Sequence, residues 1–364
     1  MLATRLYPFL YFMALGGSYF STWVTSYFAY KYNWQYAYII IFISILLSII
    51  LALFLFKNTK LKKRIPLYQM DIPGVMLIGT TMMLINYIVV YGKVEDWFSS
   101  NKIILASWVA VLTFLLFIKR ELHVKRPAFN LNLLKKKNLP IGLLYFFLMG
   151  VFIPSTFQSS FTGGVLGYES ITSADLNLYL IPGVIIGGII SYIWFYKNFS
   201  GHILMTFGFA LLVAYHIFMY YGFSSDFTKE DFLIPLIFKG AGQAILFTSI
   251  GWYTTSNFPF PLVLKAVAMV ILFRSFLSGA VFSGIYGYLL YAGKIKHLER
   301  LVYDTGNPTL VEGQTMQQLQ KSLQIQSTLT ASKELTGYII IFGIVLISIL
   351  LLVYTYKRVQ SMLE

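Results

Sequence analysis

Ionisable side chains are scarce in this 364-residue chain, and a few lie where charge is costly. Arg274 falls inside a long apolar run, about 12 Å from its nearer end at roughly 1.5 Å per helical residue. A group at that depth must face protein or a water-filled cavity. That suits a cation lining a substrate cavity or gate. It equally suits a structural arginine that bonds carbonyls or reaches the interface. Asp175 opens another apolar run beside Ser173. Its carboxyl could carry a proton, or it could be a first-turn acid favoured by the helix dipole. His216 is the histidine in mid-run. Histidine titrates near neutral pH and suits proton coupling, but it also serves as a hydrogen-bonded packing residue. Gln158, Asn86 and Gln243 are polar groups in apolar surroundings, so each needs a protein partner. The three could line a cavity with Trp252 and Tyr253. Lys239 sits near the outer end of its run, and its long stem can carry the ammonium out to the headgroups.

Other chemistry is missing from the pattern. The chain has no cysteine and no histidine pair at ligand spacing, so no metal site is expected. Nothing calls for a cofactor. No phosphate-binding loop, Gly-x-Ser-x-Gly elbow or His-Glu-x-x-His appears, and an enzyme is not expected. A lipid-modifying membrane enzyme is the rival in that class. It would need acids or histidines converging from neighbouring spans.

The elements that must position these residues follow from composition. Hydrophobic residues make up 57% and charged residues 12%, against about 25% charged in soluble domains. Mean hydropathy is +0.70. A soluble globule of this size could not hide so much apolar surface, which excludes a cytosolic enzyme and a disordered regulator. A helix needs about 20 apolar residues to cross the bilayer. Ten segments qualify: 7–30, 35–56, 70–92, 102–118, 139–160, 175–196, 202–222, 232–255, 266–291 and 335–356. The runs are continuous and do not alternate, so the fold class is an all-α polytopic membrane protein with about ten transmembrane helices. The first run continues through Trp23 and Tyr30, too long for a signal peptide cleaved near Ala14.

The net charge of +14 orients these spans. The loops alternate sharply: one side carries 17 cations and three acids, concentrated at 57–64 and 119–137. Positive loops stay in the cytoplasm, so both termini are expected there, in a multi-pass inner-membrane protein. The charge therefore reports topology and not a nucleic-acid partner; the basic stretches could also touch anionic lipid headgroups. Residues 1–56 form a helix pair, 57–137 a second pair flanked by basic loops, and 138–364 a six-helix bundle with a long outer loop at 293–334. Met316, Leu319 and Leu323 recur at helical spacing there, as in a short surface helix. Gly183 and Gly187 in the sixth segment, and Gly279, Ser283 and Gly287 in the ninth, are spaced for close helix packing. Pro154 and Pro182 could kink their helices.

Four local patterns, taken in order, resemble the fourteen-span drug:proton antiporter branch of the major facilitator superfamily. Asp71-x-x-Gly74 is similar to the start of that family's inserted helix pair, and Gly92 with Trp97 and Ser99 to the loop joining the pair. The stretch 129–135 with Asn138 resembles the approach to the C-terminal bundle, and Arg274 with Gly279 a motif of the penultimate span. The resemblance implies a partial major-facilitator fold with one complete six-helix bundle, working by alternating access. It implies proton-coupled efflux of small hydrophobic or cationic compounds, with lipid, substrate and protons as partners. It also exposes a deficit. The first segment aligns with the family's fifth span, and only Gly16-Gly17 remains of the Gly/Pro-rich motif expected there. The spans that carry the first bundle's coupling residues have no counterpart. The expectation is an N-terminally truncated transporter that inserts without conferring efflux alone, or a non-transporting partner subunit.

Overall fold

In the lipid interior every backbone N–H and C=O must be satisfied within its own segment, so apolar runs of this length become helices. The computed structural model describes residues 2–55, 71–124, 126–154, 156–256, 258–304 and 315–363. The basic stretch 57–64 lies outside them. Among the described residues there is no strand. The helices are α1 (Leu2–Lys31), α2 (Trp34–Leu55), α3 (Ile72–Tyr91), α4 (Asn101–His123), α5 (Asn138–Gly150), α6 (Thr156–Gly164) and α7 (Ser170–Asp175). They continue with α8 (Leu180–Tyr196), α9 (Gly201–Gly222), α10 (Leu233–Thr255), α11 (Phe260–Phe276), α12 (Phe282–Asp304) and α13 (Met316–Leu363).

Among the described residues, eight stretches are long and apolar enough to cross a membrane: α2, α3, α4, α7 with α8, α9, α10, α11 with α12, and α13. The chain is thus an all-helical, polytopic membrane protein. The expected first and fifth spans fall outside these eight for local reasons. Glycine, serine and threonine dilute the apolar character of α1. The fifth segment breaks after Gly150 at a stretch containing Pro154, which leaves the thirteen-residue α5 and the nine-residue, partly polar α6. Pro182 produces no such break, because it occupies the first turn of α8. The expected separate surface helix is also revised. Met316, Leu319 and Leu323 form the start of α13, which runs unbroken for 48 residues. Most of 293–334 is likewise helix, since α12 continues to Asp304.

The core is built around α10, in which every residue from Lys239 to Gly251 is buried. It packs between α8 and α9, with α5 and α1 on its other faces. Phe146, Phe152, Phe157, Phe209 and Tyr215 fill the space between α5, α6, α9 and α10. The helices α3 and α4 pair with each other and lean on α12. The most apolar helix, α2, has no buried residue and packs on α1.

Candidate functional site

Positions one turn apart on α10 place a lysine, a glutamine, a phenylalanine and a glycine (Lys239, Gln243, Phe247 and Gly251) in the middle of the bundle. Around them the polar side chains gather into two clusters. The first lies within the six-helix bundle. The Lys239 ammonium stands 4.9 Å from the centre of the Tyr215 ring. The Tyr215 hydroxyl donates to Gln158 Oε1 at 3.1 Å. His216 lies beside Tyr215 with ring centres 4.9 Å apart, and it also touches Phe152 and Phe157. Its Nε2 is 3.2 Å from the Phe152 carbonyl. A carbonyl only accepts, so Nε2 carries the proton in this arrangement. The sequence reading let Lys239 snorkel outward. Instead it is 2% exposed, held inside by the Tyr215 face.

The second cluster lies where α1 meets α10 and α11. Tyr7, Tyr11, Tyr19 and Trp23 form a stripe along α1, spaced by multiples of four residues. The Tyr19 hydroxyl donates to Gln243 Oε1. Tyr11 stacks on Phe247 at 5.8 Å, and Tyr7 bonds Thr255 Oγ1 at 2.5 Å. The Arg274 guanidinium sits 4.4 Å from the Phe247 ring centre and 5.6 Å from that of Tyr11. Beside it opens a cavity of about 410 Å³, lined by Tyr7, Tyr11, Thr255 and Arg274 among aliphatic side chains of α1 and α11. At the far end of the stripe, the Trp23 indole N–H donates to Asp175 at 2.9 Å, and Lys229 bonds the other carboxylate oxygen at 2.6 Å. Asp175 therefore ties α1 to the connection between α9 and α10.

The structure brings Gln243 and Arg274 to the same seam and puts Gln158 and His216 in the cluster behind it. Asp175 stands apart at the bundle end. Trp252 lies on another face, against Phe195 at 5.3 Å and over Gly201. The glycines divide similarly. A Cβ on Gly183 would come 2.2 Å from the Ile237 carbonyl, and one on Gly187 would come 2.6 Å from that of Ala241, so both sit at the α8–α10 crossing. A Cβ on Gly279 or Gly287 would meet nothing within 4 Å. The close contact in that stretch is Gly284 against Val89 of α3, while the Ser283 carbonyl accepts from Thr156. The aromatic partners Tyr11, Tyr19 and Tyr215 were missed in the sequence, where tyrosine reads as an interface residue. The recurrence of aromatic residues at multiples of four along α1 was the signal that could have found the first two.

The motifs of the inserted pair have plain structural roles. Asp71 caps α3 through the Gly74 N–H and bonds Arg120 Nε at 2.6 Å. Gly74 is small because a Cβ would come 2.3 Å from the Asp71 carboxylate. Glu121 accepts from the Phe129 N–H at 3.2 Å, joining the pair to the bundle's approach segment. In the α3–α4 loop a Cβ on Gly92 would strike the Trp97 ring, which packs edge-on to Tyr288 of α12. Glu95 is held below the usual glutamate range, mainly by the Lys102 ammonium at 2.9 Å. Among the described residues no three metal-ligating side chains converge.

No protein-family model matches the chain. It is similar to the probable multidrug resistance protein EmrY of Escherichia coli (strain K12), at 26% identity over 188 residues, 49% of this chain and 35% of the relative. The fatty acid resistance protein FarB of Neisseria gonorrhoeae is 26% identical over 50% of this chain and 35% of its own length. The multidrug export protein EmrB of Escherichia coli (strain K12) is 27% identical over 207 residues, 55% of this chain and 38% of its own. The match spans little more than a third of each relative. The distant resemblance to fourteen-span drug:proton antiporters of the major facilitator superfamily is thereby shown.

Proposed function

We propose that the chain forms part of an alternating-access transporter that exports small hydrophobic compounds in exchange for protons. In this reading ten helices cross the inner membrane: the eight long apolar stretches, α1, and α5 with α6 as one interrupted span. Both termini lie in the cytoplasm, on the side where the loop cations gather. Residues 138–364 form one bundle, α1 and α2 belong to the opposing one, and α3 with α4 is the inserted pair. One observation carries this reading. In a protein whose surface is largely apolar, Gln158, Tyr215, His216, Lys239, Gln243 and Arg274 all face protein, in the bundle or at its seam with α1. Polar groups held in lipid-embedded helices at such cost mark pathways.

Gln243 and Arg274 line the path at the α1 seam, and Gln158 supports it through Tyr215. Asp175 and His216 are the proton-responsive groups. Protonating Asp175 releases Lys229 and loosens the tie between α1 and the bundle end. Trp252 and the glycines Gly183 and Gly187 pack helices. Of the two substrate kinds that the resemblance implies, the aromatic and aliphatic cavity walls favour hydrophobic compounds.

The test compares everted membrane vesicles from cells that naturally make the chain with vesicles from a deletion strain. Energised wild-type vesicles should move a neutral hydrophobic dye, a protonophore should stop this, and Gln243→Ala should reduce it. Equal dye movement in the two strains overturns the proposal. A second reading, a non-transporting partner subunit, is favoured by α2, whose apolar surface has no buried residue. Equal dye movement together with co-purification of a second membrane protein supports that reading instead.

A further inference from the structure

The α3–α4 pair leans on α12 and on the turn Leu277–Val281 before it, and stands off the rest of the bundle. A groove of about 340 Å³ is left between α3 and α4 on one side and α5 and α11 on the other. Its walls include Ile85, Phe114, Leu143, Leu272 and Phe273. Thr81 is the one polar side chain among the lining residues, and its hydroxyl is taken up by the Leu77 carbonyl and Thr113 Oγ1, each at 2.8 Å. No group is left there to fix a polar ligand. Phe114 and Leu134, 44% and 37% exposed, open the groove to the lipid-facing surface. Packed interiors keep few voids larger than a water molecule, and an apolar cavity takes up apolar matter. In a bilayer the matter at hand is a hydrocarbon chain.

The end of the groove is closed by the short helical turn Leu131–Lys135, capped by the Asn130 side chain. Leu131 and Leu134, three residues apart, share the face that lines the groove, while Leu133 is buried. Lys135, Lys136 and Lys137 follow directly, and all three are exposed, as is Arg126. Among the described residues none of these four forms an ion pair. The acids nearest to them are already engaged: Asp71 holds Arg120, and the buried Glu121 accepts from the Phe129 N–H. An apolar groove thus ends beside uncompensated positive charge. That combination matches a lipid with a hydrocarbon tail and a negative head. We infer that the groove binds one acyl chain of an anionic phospholipid, with the phosphate against Lys135, Lys136 and Lys137. Such a lipid would join the α3–α4 pair to the bundle where protein contact is missing. The inference rests on the chain's place in a membrane and not on transport, so vesicles that move no dye leave it standing.

Two photoreactive lipids with the same diazirine-bearing acyl chain test the site, one a phosphatidylglycerol and the other a phosphatidylcholine. Each is doped into phosphatidylcholine nanodiscs holding the full chain, and the labelled residues are mapped by peptide mass spectrometry. Phosphatidylglycerol should label Ile85, Leu143 and Phe273 about five- to thirtyfold more than phosphatidylcholine, the factor that one or two cations near an anionic headgroup supply. Ile344 and Val345, exposed on α13, serve as the reference and should take both lipids equally. Changing Lys135, Lys136 and Lys137 together to glutamine should remove the preference, and changing them to arginine should keep it. Leu143→Trp should lower labelling of Ile85 and Phe273 by both lipids. In the unaltered chain, raising the salt to about 1 M, where the Debye length is about 3 Å, should shrink the preference without any substitution. Equal labelling of the groove by the two headgroups overturns the inference. So does a preference that survives both high salt and the glutamine changes.

Discussion

Replacing Gly183 with alanine should destabilise the bundle, whereas the same change at Gly287 should not. At Gly183 the added methyl lands 2.2 Å from the Ile237 carbonyl oxygen and 2.9 Å from the Ala241 nitrogen. Both are backbone atoms, so no rotamer change can relieve the contact. The helices α8 and α10 must separate by about 1 Å to restore an ordinary contact. A gap of that size forfeits roughly a quarter to a half of the dispersion energy of each atom pair along the crossing. Overpacking of this kind costs about 1–3 kcal/mol. The better helix propensity of alanine returns up to about 1 kcal/mol, which lowers the net loss to about 0–2 kcal/mol where that gain is full. Gly187→Ala should behave similarly, since its methyl would lie 2.6 Å from the Ala241 carbonyl. At Gly287 nothing lies within 4 Å, so only the propensity gain of up to about 1 kcal/mol remains. Thermal unfolding in detergent, followed by tryptophan fluorescence, reads the difference, at about 2–4 °C per kcal/mol for a domain of 150–250 residues. Indistinguishable midpoints for Gly183→Ala and Gly287→Ala would refute the placement of the α8–α10 crossing.

Three further outcomes are expected. Asp71→Ala removes the α3 cap and the bond to Arg120; because the Arg120 side chain is 37% exposed and can turn to water, the loss should be about 1–2 kcal/mol, and Arg120→Ala should add little to it in a double-mutant cycle of unfolding midpoints. Lys239→Met keeps the side chain's length without its charge, so the protein should unfold at the same temperature or higher while gradient-driven dye movement falls; unaltered transport would make Lys239 a packing residue. Glu95, with its pKa lowered in the folded protein, lends the α3–α4 loop a stabilisation that is present above the unfolded glutamate pKa and lost as pH falls through the folded one. Amide exchange in residues 92–100 should therefore quicken as the pH drops below the usual glutamate range, and Glu95→Gln should abolish the change.

Much of the architecture is a local property and was legible in the residues alone. An apolar run of about 20 residues has to satisfy its own backbone in lipid, so helices, their order and their approximate ends follow from hydropathy. The motif of Asp71 and Gly74 was legible too, because a cap and the small residue beside it are only three positions apart. What partners each helix face was not. Helices such as α2 and α8 are apolar all round, with no polar side to give direction. Thus the same small-residue spacing marks a tight crossing at Gly183 and open space at Gly287. Whether Lys239 reaches out to the headgroups or stays in depends on Tyr215, which comes from another helix. The union of Arg274 with the tyrosine stripe of α1 likewise joins residues more than 250 positions apart. The sequence by itself determined that long apolar helices dominate the chain and that the formal charges deepest in the apolar runs are positive. Tertiary packing decided which of those charges are enclosed in the bundle and which one faces a cavity, because that depends on the neighbours each helix meets.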